Sequence, residues 1–404
     1  MLKLDGNPNA FRPVDTRRYL VCFSHLRWRF VFQRPQQLMT LATRHYKVLY
    51  VEEPLFEEGA EPTLRSERDE SGVGVLTPIL PATLTEAQAV AEQTRLTREL
   101  AADLGERIHV CWYYTPMAYE FSDGIEADIL VYDCMDELSA FKGAPQRLAE
   151  NERRLLRVAD LLFTGGMSLY EAKRRLHRAV CAFPSSVDQH HFRKARRPSL
   201  PEPASQSHLR HPRIGYFGVI DERMDLNLVE AAARLRPNFE FILVGPVVKI
   251  EETSLPRREN LHWLGRQDYA VLPNFLRGWD VAFMPFALNA STRFISPTKT
   301  PEFLAAGIPV VSTAVKDVVR PYGERGLVKI CDTPESLVCA VDALLSQPTE
   351  RWLGEVDTFL AGMSWEKTWA EMHGLILQVT PDWDARRSPA TSSTATAAAR
   401  ASDV

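Results

Sequence analysis

The chain has 404 residues, too many for one ordinary core and enough for two or three folding units of about 150 residues each. Hydrophobic residues make up 45% and charged residues 25%, which excludes a largely disordered chain. Lysine and arginine total 48 against 52 acids, a formal charge of −4, and that balance gives no reason to expect nucleic acid as the partner.

The six cysteines form no C-x-x-C pair and read as reduced core thiols. Residues 1–11 lack the apolar run of a signal peptide. Nowhere do 18 uncharged apolar residues follow one another, so no spanning helix is expected. The expectation is a cytoplasmic protein, with any membrane contact peripheral and at the inner face.

In chain order, short apolar strands alternate with amphipathic stretches. Residues 19–24 read as a buried strand, 36–46 as a helix and 47–51 as the next strand. After a variable, charged section, 84–104 is helical by periodicity. Strands are predicted at 108–112, 129–132 and 161–164, with a helix over 144–158. Continuous apolar strands separated by helices imply a parallel sheet covered on both faces. The Pro-, Ser- and Arg-rich stretch 191–213 reads as a linker. The alternation then restarts, with strands at 213–218, 239–244, 261–265, 281–285 and 309–313. Helices are predicted at 226–235, 272–278, 301–306 and 335–345. Two such blocks predict an α/β protein with two doubly wound, Rossmann-like domains. The Ala/Ser/Thr-rich stretch 386–404 predicts disorder.

The most informative segment is Ser296-Pro297-Thr298-Lys299-Thr300-Pro301-Glu302, continuing through Ala305-Ala306-Gly307 to Pro309-Val310-Val311. Thr300 is placed to cap a helix whose first residue is Pro301, with Glu302 in the first turn and Gly307 as a left-handed stop. A helix opening at the carboxyl edge of a parallel sheet offers free N–H groups and a positive dipole end to a diphosphate. Lys299 adds a charge, and Glu302 suits a pair of ribose hydroxyls. The plainer reading also stands: Glu302 only favours the dipole, and Lys299 is a solvated loop charge.

This segment resembles the donor-binding motif of the GT-B glycosyltransferase superfamily, in its retaining, group 1 branch. Phe183-Pro184-Ser185-Ser186-Val187-Asp188 with Phe192, the strand and glycine loop Gly215–Gly218, and Leu261-His262-Trp263-Leu264-Gly265-Arg266 fall in that family's order. Ser364-Trp365 resembles the start of its terminal crossover helix. Within the superfamily the likeness is strongest to teichuronic-acid transferases, through Phe32-Gln33-Arg34-Pro35-Gln36-Gln37-Leu38, Tyr132-Asp133-Cys134-Met135-Asp136-Glu137 and Asp225.

The resemblance implies a GT-B fold, two Rossmann-like domains facing across a cleft. An acceptor domain would cover 1–192 with a crossover helix at 365–380, then a linker at 193–212, a donor domain at 213–364 and a disordered tail at 381–404. It implies metal-independent transfer, with no cofactor, from a UDP- or GDP-linked sugar to a cell-surface or lipid-linked saccharide, with retention. Arg223 and Lys299 would stabilise the leaving diphosphate, and Asp225 would hold the loop or Arg223. Gly218, Gly265 and Arg266 would lie along the donor. The family's second glutamate, eight positions before Glu302, is replaced by Phe294, so its role is vacant or falls to Asn289, Thr292, Arg293 or Ser296. Where many members carry a histidine, this chain has Asp133 to Asp136; Asp136 serves as a base or sugar contact, or one of the two aspartates caps the next helix. No D-x-D follows a strand.

Arg27, Trp28 and Arg34 follow the first strand and suit an acceptor bearing sugar faces and a phosphate. A docking patch for anionic lipid is the second reading. His190-His191 has no third ligand nearby and reads as structural. Two alternatives to transfer remain: an epimerase or phosphorylase of the same fold, and a non-catalytic binding protein. Gly215-Tyr216-Phe217-Gly218-Val219-Ile220 is not G-x-G-x-x-G, which disfavours a nicotinamide enzyme.

Overall fold

The structure is a computed structural model that describes residues 18–105 and 108–380. The segment expected not to be a leader and the tail expected to be disordered lie outside them.

The first sheet contains β1 (Tyr19–Phe23), β2 (Lys47–Val51), β3 (Leu55–Glu57), β4 (Thr63–Arg68) and β5 (Gly74–Pro81). It continues with β6 (Ile108–Tyr113), β7 (Ile129–Cys134), β8 (Leu161–Thr164) and β9 (Val180–Ala182). Their order is β3-β5-β2-β1-β6-β7-β8-β9, all parallel apart from β4, which pairs antiparallel with β5. The second sheet contains β10 (Arg213–Phe217), β11 (Glu240–Val244), β12 (Leu261–Trp263), β13 (Val281–Met284), β14 (Val310–Ser312) and β15 (Val328–Ile330). Its order is β12-β11-β10-β13-β14-β15, the doubly wound order whose direction reverses beside its first strand. Every residue of β6, β10 and β11 is buried, as strands covered on both faces must be.

The sequence reading missed β3, β4, β5, β9 and β15. β3 and β4 are mostly exposed and four of their nine residues are charged, so no sustained apolar alternation marks them. β5 is largely buried and was passed over within the charged stretch around it. The stretch 191–213 is a docked strap of short helical turns rather than a loose linker. Arg196 Nε donates to Ala305 O at 2.8 Å, Gln206 Nε2 donates to Phe275 O at 2.8 Å, and Arg196 forks onto Asp357. Proline and serine content reports turn chemistry, and here the turns pack. A helix over Glu350–Leu360 was also unforeseen.

The Trp365–Val379 helix is capped by Ser364, whose Oγ accepts from Lys367 N at 3.1 Å. Its buried residues Trp365, Trp369, Met372 and Ile376 recur at helical spacing and join the core of the first sheet, not the second. On the same helix, His373 Nε2 lies 3.1 Å from Tyr46 Oη, and its ring centroid is 4.1 Å from that of His45. Burial, with His45 and His109 nearby, lowers His373 to about 4. A histidine lowered in the fold takes up its proton more readily when unfolded. Its contribution is therefore whole above the unfolded value near 6.5 and lost as pH falls toward 4. The melting temperature of His373→Gln should fall less than wild type between about pH 7 and pH 5; parallel pH curves would contradict this.

Candidate functional site

Ligands in open parallel sheets bind outside the carboxyl ends of the strands, where the winding reverses. In the second sheet that point lies between β10 and β13. Gly218 follows β10 and Phe286 follows β13, and both line a cleft with Arg223, Ser296, Thr298 and Lys299. The opposite wall is Val31, Gln33, Arg34, Met135, Asp136, Gly165 and Ser185, from the carboxyl ends of the first sheet. The two sheets thus face one cleft.

The helix opening into this cleft runs Lys299–Ala306, two residues earlier than expected, with Thr298 rather than Thr300 at the N-cap. Pro301 stands in the first turn, where a missing N–H leaves no bond unmade. Thr300 is fully buried and its hydroxyl turns to Met284 Sδ at 3.5 Å. Gly307 ends the helix at φ 81°.

Glu302 is 7% exposed, and its Oε2 accepts from Lys299 Nζ at 3.0 Å. Burial pushes its carboxyl up, against the opposing pull of Lys299. Lys299 Nζ also lies 4.6 Å from the Phe217 ring centroid. Lysine and glutamate therefore neutralise one another beside the cleft.

Arg223 forks onto Asp221, with Nε to Oδ1 at 2.9 Å and Nη2 to Oδ2 at 2.7 Å, and lies over the Phe141 ring of the first lobe at 5.6 Å. Asp136 faces it from that lobe. Burial raises the Asp136 carboxyl, while Arg223 pulls it down. Neither Asp133 nor Asp136 caps the following turn, which begins after Glu137 without a side-chain cap.

The sequence pattern of the family Glycosyl transferases group 1 matches residues 211–347. The chain has a fold of the GT-B type, and residues 211–347 are similar to that family. A curated relative, the putative teichuronic acid biosynthesis glycosyltransferase TuaH of Bacillus subtilis (strain 168), is 26% identical over 262 residues. That match covers 60% of this chain and 65% of the relative, so it spans less than two thirds of that protein. Among solved structures, sucrose-phosphate synthase from Thermosynechococcus elongatus superposes with a TM-score of 0.67 at 15% identity, over 90% of this chain and 100% of that one. HepE of Anabaena, in complex with UDP and glucose, gives 0.60 at 14% identity over 89% and 99%. The α,α-trehalose 6-phosphate synthase of Burkholderia multivorans gives 0.60 at 13% over 92% and 98%. At these identities the structures establish the fold.

Several expected site residues have their polar groups engaged within their own lobe. Arg34 is 1% exposed and each of its three nitrogens is engaged: Nε and Nη2 fork onto Asp133 at 3.0 and 2.8 Å, and Nη1 donates to Phe183 O at 2.7 Å. It is a strut, not a free phosphate fork. Trp28 is buried against Tyr50 with its Nε1 on Asp69 at 2.9 Å. Arg27 Nη1 lies 3.1 Å from Glu52, and its Nη2 donates to Pro54 O at 3.0 Å. The expected acceptor trio is thereby bound into the first lobe. Asp225 caps the Leu226–Leu235 helix through Leu228 N at 2.9 Å instead of holding Arg223. Asn289 Oδ1 accepts from Ser291 and Thr292 and shapes its own turn. Phe294, in the place of the family's glutamate, packs against the first lobe's core.

Gly265 turns the chain at φ 66°, and its carbonyl accepts from Gly245 N at 2.8 Å. Arg266 then crosses to the first lobe, donating to Arg29 O at 2.7 Å and lying 5.5 Å from the Phe30 ring. Gly245 meets Gly218 so closely that a Cβ there would stand 1.7 Å from Gly218 O. Gly245→Ala should therefore lower the melting temperature and nucleotide affinity together; an unchanged variant would show that this loop yields. His191 stacks on Tyr269 at 4.3 Å and meets its carbonyl at 2.9 Å, a structural role.

One residue escaped the sequence reading. Lys249, in the loop after β11, has φ 63°, an uncommon geometry for a residue with a side chain. Its Nζ lies 5.2 Å from the Phe141 ring, and its charge acts on His25, Glu53 and Asp136. The Gly245-Pro246 turn before it was the available signal.

Among the described residues no group of histidine, cysteine, aspartate or glutamate is arranged to hold a metal ion, and no helix is long and apolar enough to cross a membrane.

Proposed function

We propose that the chain transfers a sugar from a UDP- or GDP-linked donor to a cell-surface or lipid-linked saccharide, with retention at the anomeric carbon and without a metal ion. The observation that carries this reading is the meeting of Arg223, Lys299, Gly218 and the opening turn of the Lys299–Ala306 helix in one cleft. Glycosyl transfer expels a nucleoside diphosphate, and negative charge grows on its phosphates in the transition state. Preorganised cations and N–H groups lower that state by about 3 kcal/mol for each well-placed donor.

In this reading the donor lies on residues 213–364 and the acceptor on 1–192. Lys299 turns from Glu302 to the diphosphate, and the freed carboxylate accepts from the ribose hydroxyls. Gly265 and Arg266 border the base, while Ser296 and Asn289 lie toward the sugar. Asp136, its pKa raised by burial, suits proton uptake from the acceptor hydroxyl. The name of the Bacillus relative favours an acceptor of the cell envelope.

The test is thermal shift of the full chain against UDP, GDP and ADP, each with and without EDTA. One diphosphate should raise the melting temperature regardless of chelator, and Glu302→Ala should shrink that shift. No stabilisation by any of the three would remove the reading. Once an acceptor is found, proton NMR of the first product decides retention.

A further inference from the structure

Arg27 and Arg34, the arginines expected to meet an anionic acceptor or lipid, are committed within the first lobe. Four others of that lobe are not. Arg157 lies in the last turn of the Gln146–Val158 helix, and Arg174, Arg175 and Arg178 lie in the turn after the Met167–Lys173 helix. His177 fastens the two segments into one surface, its Nε2 donating to Ala159 O at 2.8 Å.

All four arginines are exposed, and among the described residues none of them makes an ion pair. The acids nearest in sequence are engaged elsewhere. Lys173, turned inward, holds Glu137 at 2.8 Å and Glu152 at 2.7 Å. Glu171 pairs with Lys316 and Arg320 of the second lobe, and Asp160 accepts from Leu130 N at 2.9 Å. Glu150 is exposed, but it stands two turns before Arg157, about 10 Å away along the helix axis. Set among the cations are Leu176, 59% exposed, and Val158, 45% exposed. Single exposed apolar residues are ordinary; two of them inside one cationic patch make an amphipathic face. The whole chain carries a formal charge of −4, so attraction to an anionic surface has to come from such a local concentration.

We propose that this face docks the protein on an anionic lipid bilayer, with the arginines on headgroup phosphates and Leu176 entering the apolar layer beneath. The proposal goes beyond the transferase reading and stands without it. Guanidinium groups fork onto phosphate oxygens, and each basic residue held within a Debye length of an anionic membrane adds to the attraction. A bilayer offers phosphates over hydrocarbon everywhere on its surface. An acidic protein would need an apolar pocket at the one matching spot, which favours the bilayer. Arg157 precedes β8 and Arg178 precedes β9, so the face lies at the amino ends of these strands, whereas the cleft lies at the carboxyl ends. Docking there leaves the cleft uncovered.

The test is co-sedimentation of the full chain with vesicles of phosphatidylcholine, alone or mixed with phosphatidylglycerol. Wild type should bind the anionic vesicles only, and should be released as salt rises. Arg174→Gln with Arg175→Gln should lower the partition by about thirtyfold, and Leu176→Gln by about fivefold, neither moving the melting temperature. Arg257→Gln with Arg258→Gln, an equal change of charge at exposed positions of the second lobe, should bind as wild type does. An equal loss in that control, or wild-type binding by the Arg174 and Arg175 double variant, would overturn the proposal. So would the absence of retention on anionic vesicles at low salt, which would turn the face toward an acidic protein instead.

Discussion

Arg223→Ala will lower the rate of diphosphate release from the sugar nucleotide by about a hundredfold or more, the usual cost of removing one preorganised transition-state donor. Arg223 also forks onto Asp221, which is 5% exposed. Truncation leaves that carboxylate with the Arg223 main-chain N–H at 3.0 Å, so the unliganded protein should melt lower as well. Arg223→Lys separates the two effects. It keeps a charge for the phosphates but not the planar fork, so part of the rate should return while the stability defect persists. Wild-type release by Arg223→Ala, measured on the folded fraction, would remove this residue from the mechanism.

Arg34→Ala should be the most destabilising of these substitutions, costing about 3–5 kcal/mol in unfolding free energy. The guanidinium is 1% exposed and Asp133 is fully buried, so truncation strands an ion that no water reaches. The pair also ties the start of the Arg34–Ala42 helix to the end of β7, and the third donor reaches Phe183 just past β9. Replacing both partners with apolar residues, Arg34→Met with Asp133→Leu, should recover much of the loss, because no charge is then left unpaired. Urea denaturation of the single and double variants reads both outcomes. A single variant as stable as wild type would mean the pair is relieved elsewhere.

The fold was legible because β6, β10 and β11 are buried along their whole length and write themselves as largely apolar runs, broken only by His109, Arg213 and Glu240. β4 has a strand's backbone but a solvated surface, so its Thr-Leu-Arg-Ser-Glu-Arg spelling carries no periodic signal. The Lys299–Ala306 helix and its Gly307 stop followed from capping chemistry, although a proline's fixed φ located the start two residues late. The site was legible where main-chain geometry dictates it, as at Gly218 and the first turn holding Glu302. It was illegible where a charged side chain has a choice of partner. Arg27 and Arg34 look alike in sequence to Arg223, and only the tertiary position of Glu52, Asp133 and Asp221 decides which fork points where. Lys249 and Glu53, far apart in the chain, come within electrostatic reach of each other for the same reason.

The lobes are joined by unlike fastenings at opposite edges of the second sheet. Beyond β14, Asp317 accepts from the main-chain N–H of Ser168 at 3.0 Å and from its hydroxyl, while Glu171 pairs with Lys316 and Arg320. Beyond β12, Phe32 and Tyr269 centroids stand 4.6 Å apart beside the neutral-acceptor bond of Arg266 to Arg29 O, and no carboxylate takes part. Salt loosens exposed ion pairs and leaves ring contacts firm. Rising ionic strength should therefore weaken the Glu171 pairs first, leaving the buried Asp317–Ser168 bonds as the remaining tie on that side.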